Sequence, residues 1–525
     1  MNALAPSLDL APALVVLPGP RAAGADAAGA QAIRPPDARD LLQQGPVLVA
    51  HAAMTARRLG LNAPPRLPGH FDALELYAFV RPATFCAPSA VGLAQALGMT
   101  EPKGAQAQAE ALREACAILL GELAEAPQPS REEALAIAET LLRAGWAWGP
   151  ACVAALRSRP VGNQFRTSGL DVWTRIAEWE DQAPLGEAGS RPITPEAAAQ
   201  RLAELLQRAG LDEARPAQAD YAAQAAFAFQ PREQEGEPRM MLAEAGTGVG
   251  KTLGYLAPAS LWAEANGPSV WVSTYTRALQ RQIERESHAI YPDPKARAKK
   301  AVVRKGRENY LCLLNLQDMA NTAQLGGADL VGIGLTARWA RASRDGDMTG
   351  GDFPAWLPTL FAVPAAGQAS AGNLVDRRGE CIHAGCQHYR ACFVEKAIRG
   401  SRRADLVIAN HALVMTQAAF DGARAARGSK GDAETTQLRR IVFDEGHHLF
   451  DAADAAFSAA LSGQETAELR RWIRGPEGRG RRGRGLEARL MDMLGDREEA
   501  RIALSDALQA AAALPGEGWS GRIAP

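Results

Sequence analysis

Neither sign of charge dominates this chain: 58 lysines and arginines stand against 59 aspartates and glutamates, a formal net charge of −1. That excludes a protein that holds nucleic acid by its overall field, so any anionic partner must meet a local patch. No apolar run approaches the ~18 to 20 residues that span a bilayer. The opening Met-Asn-Ala-Leu-Ala-Pro also lacks the basic stretch of a secretory signal. No membrane is expected as a partner, and the sequence reads as cytoplasmic. Cysteine is scarce, seven in 525 residues, and in a reducing compartment clustered thiols point to metal rather than to disulfides. No internal repeat is visible. What remains is an ordinary globular mixture, 47% hydrophobic and 22% charged, with room for about three or four domains.

The most informative stretch is Glu-Ala-Gly-Thr-Gly-Val-Gly-Lys-Thr at 244–252. Its apolar lead-in, Met240-Met241-Leu242-Ala243, predicts a buried strand, and Leu253 to Ala263 predicts the helix that follows. In a strand, loop and helix of this kind the glycines let backbone N–H groups converge on phosphates. Lys251 then reaches the terminal phosphates of ATP and the Thr252 hydroxyl binds Mg²⁺. The nucleotide-binding set is thus Ala245, Gly246, Thr247, Gly248, Val249, Gly250, Lys251 and Thr252. Ala245 stands where the general pattern has glycine, a form common in helicases.

Such a loop needs an acidic partner, and Ile441-Val442-Phe443 runs straight into Asp444-Glu445-Gly446-His447-His448. A buried strand would deliver Asp444 to hold Mg²⁺ and Glu445 to act as general base on the attacking water. Between the two lies Val270-Trp271-Val272-Ser273-Thr274-Tyr275-Thr276-Arg277, a strand ending in hydroxyls ahead of a helix. Thr274, Thr276 and Arg277 are candidates to contact the phosphates of a single strand; equally, Thr276 can be no more than a helix N-cap. Four of the cysteines fall into one pattern, a remote Cys312 and then Cys381, Cys386 and Cys392. Four thiolates suit a [4Fe-4S] cluster. Zinc competes, because His383 and His388 fall inside the run, although zinc pairs usually follow tighter spacings. Cys86, Cys116 and Cys152 read as small buried hydrophobes.

In this order, the loop at 244–252, Ser-Thr-Tyr-Thr-Arg-Ala-Leu-Gln-Arg-Gln and Asp-Glu-Gly-His resemble motifs I, Ia and II of superfamily-two helicases, closest to the DinG/XPD-type iron-sulfur DNA helicases. Arg215-Pro-Ala-Gln218 is similar to the family's Arg-x-x-Gln element near the nucleotide, which adds Gln218 to the ATP contacts. Gly446 stands where the family has alanine. The resemblance implies an ATP-dependent helicase moving 5′ to 3′ on single-stranded DNA. It also implies a four-cysteine iron-sulfur domain with the lead-in Gly306-Arg-Glu-Asn-Tyr-Leu-Cys312. Seven Lys/Arg and no acid at 295–307 would line the DNA path, with Tyr310 as a stacking platform. Eight arginines at 470–489 read either as a DNA contact on a helical arch or as a linker.

The fold class expected is α/β: a RecA-like parallel sheet with an inserted iron-sulfur domain and the start of a helical arch, preceded by a small α/β exonuclease-like domain and a helical linker. Strands are expected at 13–17, 47–50, 240–243, 269–273, 404–409 and 441–443, and helices at 71–79, 107–124, 131–144 and 193–209. The expected divisions are 1–104 exonuclease-like; 105–210 helical; 211–300 and 401–450 RecA-like; 301–400 iron-sulfur; 451–525 arch. The front domain looks unable to cleave. Its first strand has no Asp-x-Glu and no acid occurs between Asp40 and Asp72, whereas two-metal cleavage needs several carboxylates. Only 80 residues follow Glu445, fewer than the ~150 of a second RecA-like domain. The expectation is therefore a chain truncated before its second motor domain, the alternative being a nucleotide- and DNA-binding module that does not translocate.

Overall fold

The computed structural model describes residues 11–19, 21–61, 69–160, 168–181, 188–211, 215–234, 237–246, 248–267, 269–324, 330–361, 374–376, 381–426, 438–459, 462–475, 477, 485–495, 497–516 and 519. It is α/β, with two sheets in two compact units. Among the described residues no helix is long and apolar enough to cross a membrane.

The first unit takes residues 1–178, 307–393 and 463–525. Its five-stranded mixed sheet has the order β3-β2-β1-β4-β5, from β1 (Ala13–Val16), β2 (Ala22–Asp26), β3 (Gly29–Ile33), β4 (Leu48–Val49) and β5 (Phe71–Asp72). β1, β2 and β3 run antiparallel to their neighbours, while β1, β4 and β5 are parallel. The β2–β3 hairpin is not predicted from its sequence, because Ala-Ala-Gly-Ala-Asp and Gly-Ala-Gln-Ala-Ile have little β-propensity. It forms around a two-residue turn in which Asp26 Oδ1 accepts the Ala28 N–H (2.8 Å). The long helix Gly104–Glu125 packs along β1, β2 and β3, and the predicted alanine-rich helices appear at Gln128–Arg143 and, in the second unit, Pro195–Arg208.

Within this unit the front sheet and the inserted segment share one interior. The Arg338 guanidinium donates to the Phe79 carbonyl (3.0 and 3.1 Å), and Trp356 Nε1 donates to the Cys86 carbonyl (2.8 Å). Helix Leu330–Ala342 approaches helix Gln128–Arg143 so closely that a Cβ on Gly334 would sit 2.6 Å from the Leu141 side chain. Asp72 is buried, and its carboxylate accepts the N–H groups of His51 (3.0 Å), Ala52 (2.6 Å) and Leu74 (3.0 Å). Asp72→Ala orphans those three donors and is expected to cost about 3 to 5 kcal/mol in denaturant unfolding; a loss under 1 kcal/mol would show that water replaces the carboxylate.

The second unit, residues 179–306 and 394–462, is built on a parallel sheet of order β7-β8-β6-β9: β6 (Val270–Thr274), β7 (Ala301–Val303), β8 (Leu406–Asn410) and β9 (Arg440–Phe443). β6 and β8 are fully or nearly fully buried, as their Val/Ile/Leu-rich sequences require of central parallel strands. Helices Pro195–Arg208, Pro216–Ala225, Lys251–Asn266 and Arg277–Ile290 cover the sheet, contributing Leu202, Leu205, Ala222, Leu256 and Ile283 to one core. β7 is hidden from pattern reading inside the basic stretch 295–307.

One expected strand is absent. Met240-Met241-Leu242-Ala243 is extended coil, with Met240 72% and Leu242 89% exposed. An apolar run gains a strand's stability only if a neighbour supplies a hydrogen-bond ladder and its faces are covered. Among the described residues β9 is paired on its β6 side alone, so nothing flanks it for this run to extend.

Candidate functional site

The second unit gathers the nucleotide residues at the C-terminal edge of its sheet. Gly248 and Gly250 have φ of +82° and +86°, the left-handed region that glycine enters without cost, and Gly250 caps helix Lys251–Asn266. A Cβ on Gly250 would lie 2.3 Å from Gln218 Nε2. That crowding has a reason: buried Gln218 donates from Nε2 to the Gly250 carbonyl (2.8 Å), and Arg215 Nη1 reaches the Gly248 carbonyl (3.4 Å). The Arg-x-x-Gln element therefore braces the loop. Gln218 Oε1 is buried without a partner, beside a cavity of about 820 Å³ lined also by Arg215, Gly250 and Leu253. Ala245, Gly246 and Val249 lie in the loop and Lys251 and Thr252 in the first helical turn; Thr247 is outside the described residues.

β9 brings the acidic pair to the same edge. Asp444 continues the ladder, its N–H donating to the Ser273 carbonyl (2.8 Å). Glu445 adopts φ +55°, a strained conformation for a non-glycine residue. Glu445 Oε1 accepts from Lys251 Nζ at 3.2 Å, which joins loop and carboxylates across 194 residues of sequence. Both side chains are about one-third exposed (28% and 34%), so this pair adds less than about 1 kcal/mol to stability. Burial and the neighbouring Glu445 push the Asp444 carboxyl above its usual range, against the pull of Lys251. A divalent cation would relieve that cost.

The strand-contact candidates separate. Thr274 is buried, with its hydroxyl beside the Asp444 carboxyl. Thr276 caps helix Arg277–Ile290 by accepting the Leu279 N–H (3.2 Å), and Arg277 is exposed. Sequence reasoning misses Ser273 and His411. Buried His411, at the end of β8, bonds Ser273 Oγ through Nδ1 (2.7 Å), packs on Phe443 (5.9 Å) and faces the main chain of Asp444 and Glu445. The signal for it was a polar Asn410-His411 pair closing an apolar strand.

The cysteines lie in the first unit. Cys312 is held by its N–H on the Leu374 carbonyl (2.8 Å). Cys381, Cys386 and Cys392 bracket two short 3-10 turns, His383–Gly385 and Tyr389–Ala391. Burial raises the Cys312 thiol, and nearby Asp376, Cys392 and Cys386 raise it further; the Cys386 thiol likewise feels Cys381. The thiols thus feel one another's charge, though among the described residues no three His, Cys, Asp or Glu side chains converge to hold a metal. The donor set fits an iron-sulfur group: backbone N–H groups of His383 (3.3 Å), His388 and Asn315 point at Cys381, Cys386 and Cys312, and hydrogen bonds to sulfur are what tune such clusters. His388, a potential zinc ligand, is occupied by Gln317 Oε1 (2.7 Å). Cys86, Cys116 and Cys152 are buried apart from this group.

Tyr310 corrects an expectation. Its ring is 3% exposed and its backbone bridges to Asp347, because the lead-in to Cys312 is laddered into the interior; a buried ring offers a nucleobase no face. Of the arginine-rich stretch, Arg470 and Arg474 are tied to Glu477 (3.0 and 2.7 Å), and 478–484 lie outside the described residues.

No family model matches the chain. ATP-dependent DNA helicase YoaA of Escherichia coli is 32% identical over 243 residues, 45% of this chain and 34% of that protein. ATP-dependent DNA helicase DinG of Photobacterium profundum is 31% identical over 231 residues, 43% and 31% of the two chains. The protein named 3′-5′ exonuclease DinG of Bacillus subtilis is 27% identical over 212 residues, 40% and 20%. The chain spans between 20% and 34% of the length of these curated relatives. Over these 231 to 243 residues the chain is similar to DinG- and YoaA-type helicases, with the phosphate loop, the acidic pair and the element between them in the family's order.

Proposed function

We propose that the chain binds ATP and Mg²⁺ and works as part of an ATP-dependent DNA helicase that moves 5′ to 3′ on single-stranded DNA, with a four-cysteine [4Fe-4S] centre. The observation that carries this reading is the 3.2 Å approach of Lys251 to Glu445, since it sets the phosphate-binding cation beside the candidate base. In the nucleotide complex Lys251 turns from Glu445 to the phosphates, and Gly248, Gly250 and the helix N-terminus present N–H groups to them. Thr252 and Asp444 would hold Mg²⁺, which when bound would supply positive charge to offset that of the phosphates. Glu445, freed from Lys251, orients and deprotonates water. Gln218 Oε1, with Gln218 itself already anchored to Gly250, accepts a donor from the base. Cys312, Cys381, Cys386 and Cys392 would hold the cluster, whose metal–thiolate bonds would fasten residue 312 to the 381–392 turns.

Glu445→Gln is the test. It keeps shape and phosphate contacts but removes the base, so hydrolysis should fall by about 10²- to 10⁴-fold with ATP binding retained. Unchanged turnover would remove Glu445 from the mechanism. A second reading, a module that binds nucleotide and DNA without translocating, is favoured by the exposed segment 240–243 and by β9 pairing, among the described residues, on its β6 side alone. It predicts ATP binding with no DNA-stimulated turnover even in the unsubstituted chain. For the front domain we propose a scaffolding role. Support comes from its shared interior with the inserted segment and from Asp72, whose carboxylate is committed to backbone N–H groups.

A further inference from the structure

We propose that Tyr275 and His448 form a platform on which an unpaired base of single-stranded DNA stacks. This rests on the strand-binding reading above. The two rings lie 3.8 Å apart and 13° from parallel, one from the turn after β6, the other from the turn after β9. Tyr275 is nevertheless 49% exposed, so His448 covers one face and the rest of the ring meets solvent. Interior aromatic pairs are buried on both sides; a flat ring held on one face and open on the other is the arrangement that base stacking uses. Because His448 already fixes the ring, a base landing on it costs little side-chain freedom. Exposed Arg277, two residues along the chain, would offer a phosphate contact, so one nucleotide can be held by base and backbone together. The platform also touches the catalytic group: the His448 ring is 4.0 Å from that of His447, and His447 Nδ1 is 3.6 Å from Glu445 Oε2. A stacked base therefore sits two side chains from the carboxylate that activates water.

Binding of a fluorescein-labelled oligothymidylate, and of an abasic strand with the same phosphates, is measured by anisotropy across a salt series for the full chain and its variants. Tyr275→Ala should weaken the thymidylate about 5- to 100-fold with an unchanged salt slope, since no phosphate contact is lost. Tyr275→Trp should bind like the parent. The parent should prefer the thymidylate to the abasic strand and Tyr275→Ala should not. Arg277→Ala should weaken both strands and lower the salt slope by about one contact. If Tyr275→Ala binds like the parent, or loses equally on both strands, the platform is overturned while an Arg277 effect keeps the strand-binding reading. A parent chain that binds neither strand overturns both.

Discussion

Lys251→Ala is expected to abolish stabilisation of the protein by ATP and Mg²⁺ while leaving its nucleotide-free melting temperature almost unchanged. The two parts follow from different numbers. In the free protein Lys251 makes an ion pair with Glu445 in which both side chains are about one-third exposed, and removing such a pair costs under about 1 kcal/mol. On the proposed reading, the same ammonium would meet the terminal phosphates in the nucleotide complex. A ligand present at a hundredfold its Kd stabilises by about 2.7 kcal/mol, and this increment should vanish from the variant's thermal shift. Gly250→Ala serves as a geometric control. At φ +86° and 2.3 Å from Gln218 its Cβ must push the Gln218 amide away, so both the loop and its brace should be lost. If Lys251→Ala keeps the full ATP-dependent shift, the glycine loop is a structural turn and the nucleotide assignment fails with it.

The loop, the acidic pair and the helix Lys251–Asn266 were legible in sequence because each is a local pattern: glycines at fixed spacing, carboxylates closing an apolar strand. Their proximity was not, since the Lys251–Glu445 contact depends on β9 docking beside β6 after a long intervening stretch. Local pattern also misled. Met240–Ala243 has a strand's composition, yet without a neighbour it stays exposed. β7 lacks that composition but forms because β8 offers an edge. Tyr310 and Tyr275 make the same point for single residues. Both are tyrosines beside basic or hydroxyl residues, and only the fold decides that one is interior and the other is presented on His448. His411 was invisible for a similar reason: its meaning lies in Ser273 and in the Asp444–Glu445 main chain, contributed by two other strands.

The second large effect concerns the cysteines. Protein purified without oxygen is expected to carry iron and inorganic sulfide near four each per chain and to show the visible absorbance of thiolate-bound iron, and Cys386→Ser is expected to lose both. The argument runs from position. Cys312 belongs to a segment laddered to Leu374 and Val375, while Cys381, Cys386 and Cys392 sit on short 3-10 turns that cannot bury much apolar surface. With the proposed cluster bound, those turns would gain order chiefly from the bonds joining their thiols to Cys312, so its loss should destabilise the first unit by more than about 4 kcal/mol. Cys152→Ser, at a buried thiol on helix Gly149–Arg157, should keep the colour even if it lowers stability. The contrast separates ligation from packing. Colourless protein with one zinc per chain would replace the cluster by a zinc site. A Cys386→Ser variant as coloured and as stable as its parent would mean that these four thiols hold no metal together.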